Sequence, residues 1–264
     1  MLRIQKQQGL TKKQEILLRV GTIVLALVAS GVMMAALGYN PFTVYLKMIK
    51  GALGSRYNIT ATVSKCIPLL IMSLGVSVAF RMKFWNIGAE GQILIGGCVT
   101  AWCMLYLGAS LPTPALIILM AVMSLVAGAL WGILPAIFKA RWGTNETLFT
   151  LMMNYVAIQI TSYCVALWEN PSGSNTVGII NQQTKVGWFP AIFGQSYALN
   201  VVIVLALTVG MFAYLKYSKQ GYEIAVVGES HNTARYAGIK LSRVIIRTMA
   251  ISGAICGLAG FLAV

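Results

Sequence analysis

Along this chain apolar positions run unbroken for bilayer-length stretches, and charges mark the gaps between them. A hydrocarbon core about 30 Å thick needs roughly 20 apolar residues per helix. Val20 to Leu37 is continuously uncharged and predicts a first span. Between Lys65 and Arg81 lie only 15 uncharged residues, interrupted by Pro68 and Gly75. That second span fits only if Lys65 snorkels and the helix begins near Thr60. Gly91 to Phe138 gives 48 uncharged residues, too many for one helix, and Ala109-Ser110-Leu111-Pro112-Thr113-Pro114 divides them into two spans. Thr147 to Trp168 predicts a fifth span, Tyr197 to Leu215 a sixth, and Thr248 to Val264 a seventh in which the chain ends. Between the first two spans, Asn40 to Asn58 mixes Phe42, Tyr45, Leu46 and Ile49 with Lys47 and Lys50 at helical spacing, as in a helix lying on a membrane surface. Glu169 to Ser196 is a polar loop, either a docking edge or an ordinary connection.

Composition sharpens this pattern into a class. Of 264 residues, 58% are apolar and 10% charged, and the six acids are all Glu. A soluble globule has no interior large enough for so much apolar surface, and a disordered chain does not carry it. The expected fold is an all-α polytopic membrane helix bundle of about seven spans, a single domain over 1–264 that is truncated at its C-terminus. The net charge of +14 is then an orientation signal, and no nucleic-acid partner is implied. With the N-terminus inside, Arg3, Lys6, Lys12, Lys13, Arg19, Arg81, Lys83, Lys139, Arg141, Lys216, Lys219, Arg235, Lys240, Arg243 and Arg247 are cytoplasmic. Only Lys47, Lys50, Arg56, Lys65 and Lys185 lie outside, which is the bias cytoplasmic loops show. Residues 1–19 then form a cytoplasmic N-terminus, and the first span is too long to read as a cleaved signal. Five Cys fall in or beside apolar runs without metal or disulfide spacing, and read as buried or lipid-facing thiols.

Candidate chemistry is sparse. With no Asp and one His, His231, there is no carboxylate dyad, triad or metal cluster, and no phosphate-cradling P-loop is present. An enzyme is disfavoured, no cofactor or metal is called for, and transport is left. Three polar constellations break the apolar background. Phe84 to Gln92 is a Gly-punctuated turn opening into a span, with Asn86, Glu90 and Gln92; Glu90 falls at the helix start, where an acid is favoured. It reads either as an interfacial cap or as a break lining a pore. Trp142 to Tyr155 carries Thr144 or Asn145 as cap, Glu146 in the first turn, and Asn154 two turns into the span. Asn154 is either a pathway group or an interhelical hydrogen-bonding amide. The third constellation is the long inner loop 216–247, where Ser230 as N-cap and Gly238 at the left-handed C′ position frame a short helix, with a further helix start at Ser242. Such a helix needs a partner to pack against, unless the loop rests on the membrane. The spacings Gly128-xxx-Gly132 and Gly253-xxx-Gly257 permit close helix contacts.

Taken in order, Asn86-Ile87-Gly88-Ala89-Glu90-Gly91-Gln92, Asn145-Glu146-Thr147 through Asn154-Tyr155, and Gly221-Tyr222-Glu223 through Arg235-Tyr236-Ala237-Gly238-Ile239 resemble the permease subunits of bacterial ABC importers for nucleosides and simple sugars, most closely the nucleoside branch. The resemblance implies a multi-pass subunit of the bacterial plasma membrane that pairs with a second, similar permease and with two cytoplasmic ATPases. An extracellular lipid-anchored receptor would deliver the solute. Within the inner loop, Gly221, Glu223, Gly228, Ser230, Ala234, Arg235 and Gly238 would couple to the ATPase. Asn86, Glu90, Gln92, Asn145, Glu146 and Asn154 would be candidates for the translocation pathway. A simple-sugar permease is the nearest alternative. A secondary transporter would need intramembrane ionisable groups for ion coupling, and only Glu90, Glu146 and Lys65 come near.

Overall fold

A computed structural model describes residues 11–190 and 197–264, and these divide into two compact units that meet in sequence between Val63 and Ser64. In the first unit, α1 (Lys12–Ala36) and α2 (Pro41–Leu53) are joined by a turn at Gly38. Asn40 caps α2, accepting from the amides of Phe42 and Thr43, and Pro41 occupies N1, where its missing N–H costs nothing. Tyr45 fastens the pair by donating its hydroxyl to the Leu27 carbonyl at 2.6 Å. The amphipathic pattern of 40–58 is thus a helix, followed by the start of α3 (Arg56–Arg81), whose Thr62 hydroxyl donates to the Ala52 carbonyl at 3.0 Å.

The second unit holds the remainder of α3 with α4 (Ala89–Leu107), α5 (Thr113–Trp142), α6 (Glu146–Trp168), α7 (Ala198–Tyr217), α8 (Lys219–Glu229), α9 (His231–Tyr236) and α10 (Leu241–Ala263). Seven of these ten described helices are long and apolar enough to cross a membrane. The break at 109–114 falls between α4 and α5 as the Pro pair predicts, with Pro112 and Pro114 flanking the start of α5. Three boundaries differ from the pattern-based expectation. Helix α3 begins at Arg56, four residues before Thr60, and carries Pro68 inside it, giving 26 residues where the charge-free run alone is short. Helix α10 is entered from Lys240, whose extended backbone serves as N-cap, and not from Ser242; the chain reverses at Gly238, with φ +72°, and re-enters a helix at once. Lys219 to Glu229, left without a structure by the sequence pattern, is helical. It is capped by Ser218, whose Oγ accepts from the Gly221 amide at 2.9 Å. From 169 to 190 the loop between α6 and α7 is irregular, as its composition indicates, and its last residues, 191–196, lie outside the described residues.

Helix α10 is the axis of this unit, flanked by α4 and α5 and far more buried than the other spanning helices. Its packing is backbone on backbone. A methyl group at Gly253 would overlap the Gly128 carbonyl, and one at Gly132 would stand 2.7 Å from the Met249 carbonyl. The small-residue spacings read from the sequence therefore face each other across the α5–α10 contact, where lipid supplies no hydrophobic drive and close packing must supply the attraction.

Candidate functional site

The first two constellations of the sequence meet at the start of α4. Gly88 stands at the N-cap of this helix and has no side chain to satisfy its free amides. A neighbouring helix does so instead. Asn154, on α6 and 7% exposed, accepts from the Gly91 amide through Oδ1 and donates from Nδ2 to Glu90 Oε2 at 3.3 Å. One turn earlier on the same face of α6, Thr150 Oγ1 accepts from the Ile87 amide at 3.2 Å. Asn86 folds back on the turn: its Oδ1 accepts from the Gly88 amide, and its Nδ2 lies 3.3 Å from Gln92 Oε1 and 3.4 Å from Ser252 Oγ of α10. Asn86 and Gln92 are both buried. The result is a polar knot that satisfies irregular backbone and draws α4, α6 and α10 together.

Of the six pathway candidates, four (Asn86, Glu90, Gln92 and Asn154) are brought into this knot. The interhelical reading of Asn154 is the geometry seen. The other two stay at the start of α6. Asn145 caps it, accepting from the amides of Thr147 and Leu148, and Glu146 pairs with Lys139 of α5 at 2.7 Å. Thr150 and Ser252 were not singled out by the sequence, although Thr150 stands four residues before Asn154 and so shares its face. Two cavities lie toward the other end of α4. One, of about 450 Å³, is apolar and lined by Leu94, Cys98, Val165, Trp168 and Trp188. The second, of about 330 Å³, includes Thr100, Met120, Phe189, Asn200 and Phe261. None of the six candidates lines either cavity.

The third constellation is a built element. Helix α8 presses its glycines on neighbouring backbone, since a methyl at Gly228 would overlap the Arg81 carbonyl and one at Gly221 the Leu215 carbonyl. Ile224 and Val227 are buried beside them. Glu223 reaches Arg247 of α10 at 2.8 Å, both side chains largely shielded, and so ties α8 to the axial helix. Sequence reading took Arg247 only as a charge, because 24 residues of separation carry no local signal. Ser230 then caps α9, its Oγ accepting from the Thr233 amide at 3.3 Å. Ala234 faces inward, fully buried, while His231, Arg235 and Ala237 are exposed and Tyr236 is 94% exposed. The short helix expected to meet a partner is thus divided: Ala234 packs within the chain, while Ala237, Arg235 and Tyr236 project from it.

A family model described as the branched-chain amino acid transport system / permease component matches residues 58–264. The chain belongs to this permease family. It is 32% identical over 243 residues to the guanosine ABC transporter permease protein NupP of Bacillus subtilis, covering 90% of this chain and 68% of that protein. It is 29% identical to the nucleoside ABC transporter permease protein NupB of Lactococcus lactis, over 94% of this chain and 70% of that one. It is also 29% identical to the glucose ABC transporter permease protein TsgB13 of Haloferax volcanii, over 90% and 65%. No solved structure matches. The matched region contains all three polar constellations and six of the seven long apolar helices in whole or greater part. This permease is therefore a multi-pass membrane protein whose polar residues gather at the start of α4 and on the α8–α9 loop.

Proposed function

We propose that this chain is the membrane-spanning subunit of an ATP-driven importer of nucleosides, one permease domain over 1–264 with its N-terminus in the cytoplasm of a bacterial cell. ATP hydrolysis belongs to separate cytoplasmic subunits, and a second, similar permease completes the passage. A lipid-anchored receptor outside the cell delivers the solute. The observation that carries the mechanical part is α9. A six-residue helix has no reason to persist in water by itself, yet this one is capped by Ser230, backed by α8, and presents Arg235 and Tyr236 outward. An ATPase groove that takes up α9 would move α8 and, through Glu223 and Arg247, α10. Helix α10 packs against α4 and α5, so displacement at the loop reaches the polar knot of Asn86, Glu90, Gln92 and Asn154. In this reading Gly221 and Gly228 keep α8 rigid on its neighbours, and Gly238 turns the chain back toward α10. Asn145 and Glu146 fix the start of α6 beside the same passage.

Nucleosides as the solute rest on the guanosine and nucleoside permeases among the relatives. A simple sugar is the second reading, favoured by the glucose permease at the same identity as the nucleoside one. Uptake of labelled guanosine, adenosine, ribose and glucose by cells with and without the gene separates the two. Guanosine and adenosine uptake should depend on the gene, whereas gene-dependent uptake of only the sugars replaces the first reading with the second.

A further inference from the structure

The coupling loop and the foot of α10 together enclose a cavity of about 460 Å³, lined in part by Glu223 and Gly238, to which the transport reading assigns no ligand. Lys219, Lys240, Arg243 and Arg247 stand around it, with Tyr222, Ile239 and Val244 between them. The one acid on its wall, Glu223, already belongs to Arg247. Three cations, the exposed Lys219, Lys240 and Arg243, thus face a concave space with no carboxylate among the described residues to answer them. The site sits where the apolar helix α7 ends at Tyr217 and α10 begins at Leu241, the height of a membrane–water interface whichever way the chain is oriented. Tyr222 is largely exposed at its rim, an amphipathic ring of the kind found at headgroup level. Helix α7 continues from the site toward the other side with Val202, Leu205, Val209 and Phe212 exposed, a surface along which acyl chains can lie.

We infer that this cavity is a binding site for the phosphodiester headgroup of an anionic phospholipid, with Lys219, Lys240 and Arg243 meeting the phosphate and α7 receiving the chains. Basic pockets between membrane helices have this use elsewhere. A free anion in water would gain the same cations but not the adjoining apolar face, which is why a lipid is the occupant. A lipid held here would brace α8 against the foot of α10, the joint through which the coupling loop acts.

The test uses the full chain purified in detergent, offered phosphatidylglycerol or phosphatidylcholine, with bound lipid counted by native mass spectrometry. Phosphatidylglycerol should be retained preferentially. Lys240→Gln and Arg243→Gln should each loosen it about fivefold, the effect of removing one interfacial cation. Lys47→Gln with Lys50→Gln, which removes two charges from α2 where each of those variants removes one, should leave retention unchanged. Equal retention of the two lipids, or equal loss in the α2 variant, overturns the proposal. Release of phosphatidylglycerol by millimolar inorganic phosphate would make this a free-anion site and overturn it too. So would its displacement by an added ATPase subunit, which would make the cavity part of a protein interface.

Discussion

At the scale of single residues, the amide of Asn154 does the work that a cap on α4 would otherwise do. The helix begins at Gly88, whose lack of a side chain leaves its first amides without a local acceptor. Replacing Asn154 by Leu keeps the branching of its side chain but orphans the Gly91 amide and frees the Glu90 carboxylate. The cost should be about 1–3 kcal/mol, that of a buried donor left unpaired. We expect Asn154→Leu to reach the membrane at near-normal levels, to unfold at lower temperature in detergent, and to transport poorly; uptake equal to the parent would confine the residue to packing. Gly253 acts by absence. A Cβ at this position would overlap the Gly128 carbonyl, so any side chain must push α10 from α5. Gly253→Leu is expected to leave little folded protein, read as rapid loss of full-length chain under limited proteolysis. An equally apolar change on an exposed face, Val209→Leu, should be silent.

At the scale of elements, the α8–α9 loop is fastened to three helices. Its glycines lie on the backbone ends of α3 and α7, and its one shielded ion pair reaches α10. Breaking such a pair from one side leaves a shielded charge without a partner, which is worse than removing both. Glu223→Gln should therefore lower ATP-coupled uptake several-fold, and the exchange Glu223→Arg with Arg247→Glu should recover part of it. Recovery would assign the role to the pair itself; failure of the exchange would assign it to the position of Arg247. On α9 the projecting residues and the buried one should part company. Arg235→Ala with Tyr236→Ala should abolish stimulation of the ATPase without altering the chain's stability, since both side chains are exposed. Ala234→Glu should lower stability first, because it buries a carboxylate. Comparing ATPase rate with thermal unfolding for both variants checks the division. The loop's caps at Ser218 and Ser230 were of unequal visibility. Ser230 and Gly238 bracket a short polar run, but nothing near Lys219 distinguishes a helix from an extended strand in a stretch containing two glycines.

At the scale of the whole molecule, orientation is the property with the widest consequences. Fifteen of the twenty basic residues fall on one side when the spans alternate, and the proposed cytoplasmic position of α9 rests on that bias. In a background without native cysteines, Asn175→Cys should react with a membrane-impermeant thiol reagent in intact cells. Lys12→Cys and Asn232→Cys should react only after the cells are opened. The reverse pattern would put the coupling loop outside and remove the proposed mechanism with it.

The sequence by itself determined the class, the number of long apolar helices and most of their limits. These follow from a one-dimensional quantity, the length of chain without charge, weighed against the thickness of a bilayer. It also marked the special places, because a Gly-rich polar turn or an amide inside an apolar run is costly in lipid and stands out wherever the chain later folds. What it could not contain was who answers whom. Asn154 and Gly91, Glu223 and Arg247, and Gly128 and Gly253 are far apart in sequence, and their partnerships depend on which helix faces lie together. Only the tertiary structure decided that Asn154 serves as a cap, that Ala234 is buried while Tyr236 projects, and that four basic residues counted for topology also surround a cavity. Each of these is a contact between surfaces, fixed by packing and hydrogen-bond satisfaction across the bundle, and no local pattern encodes it.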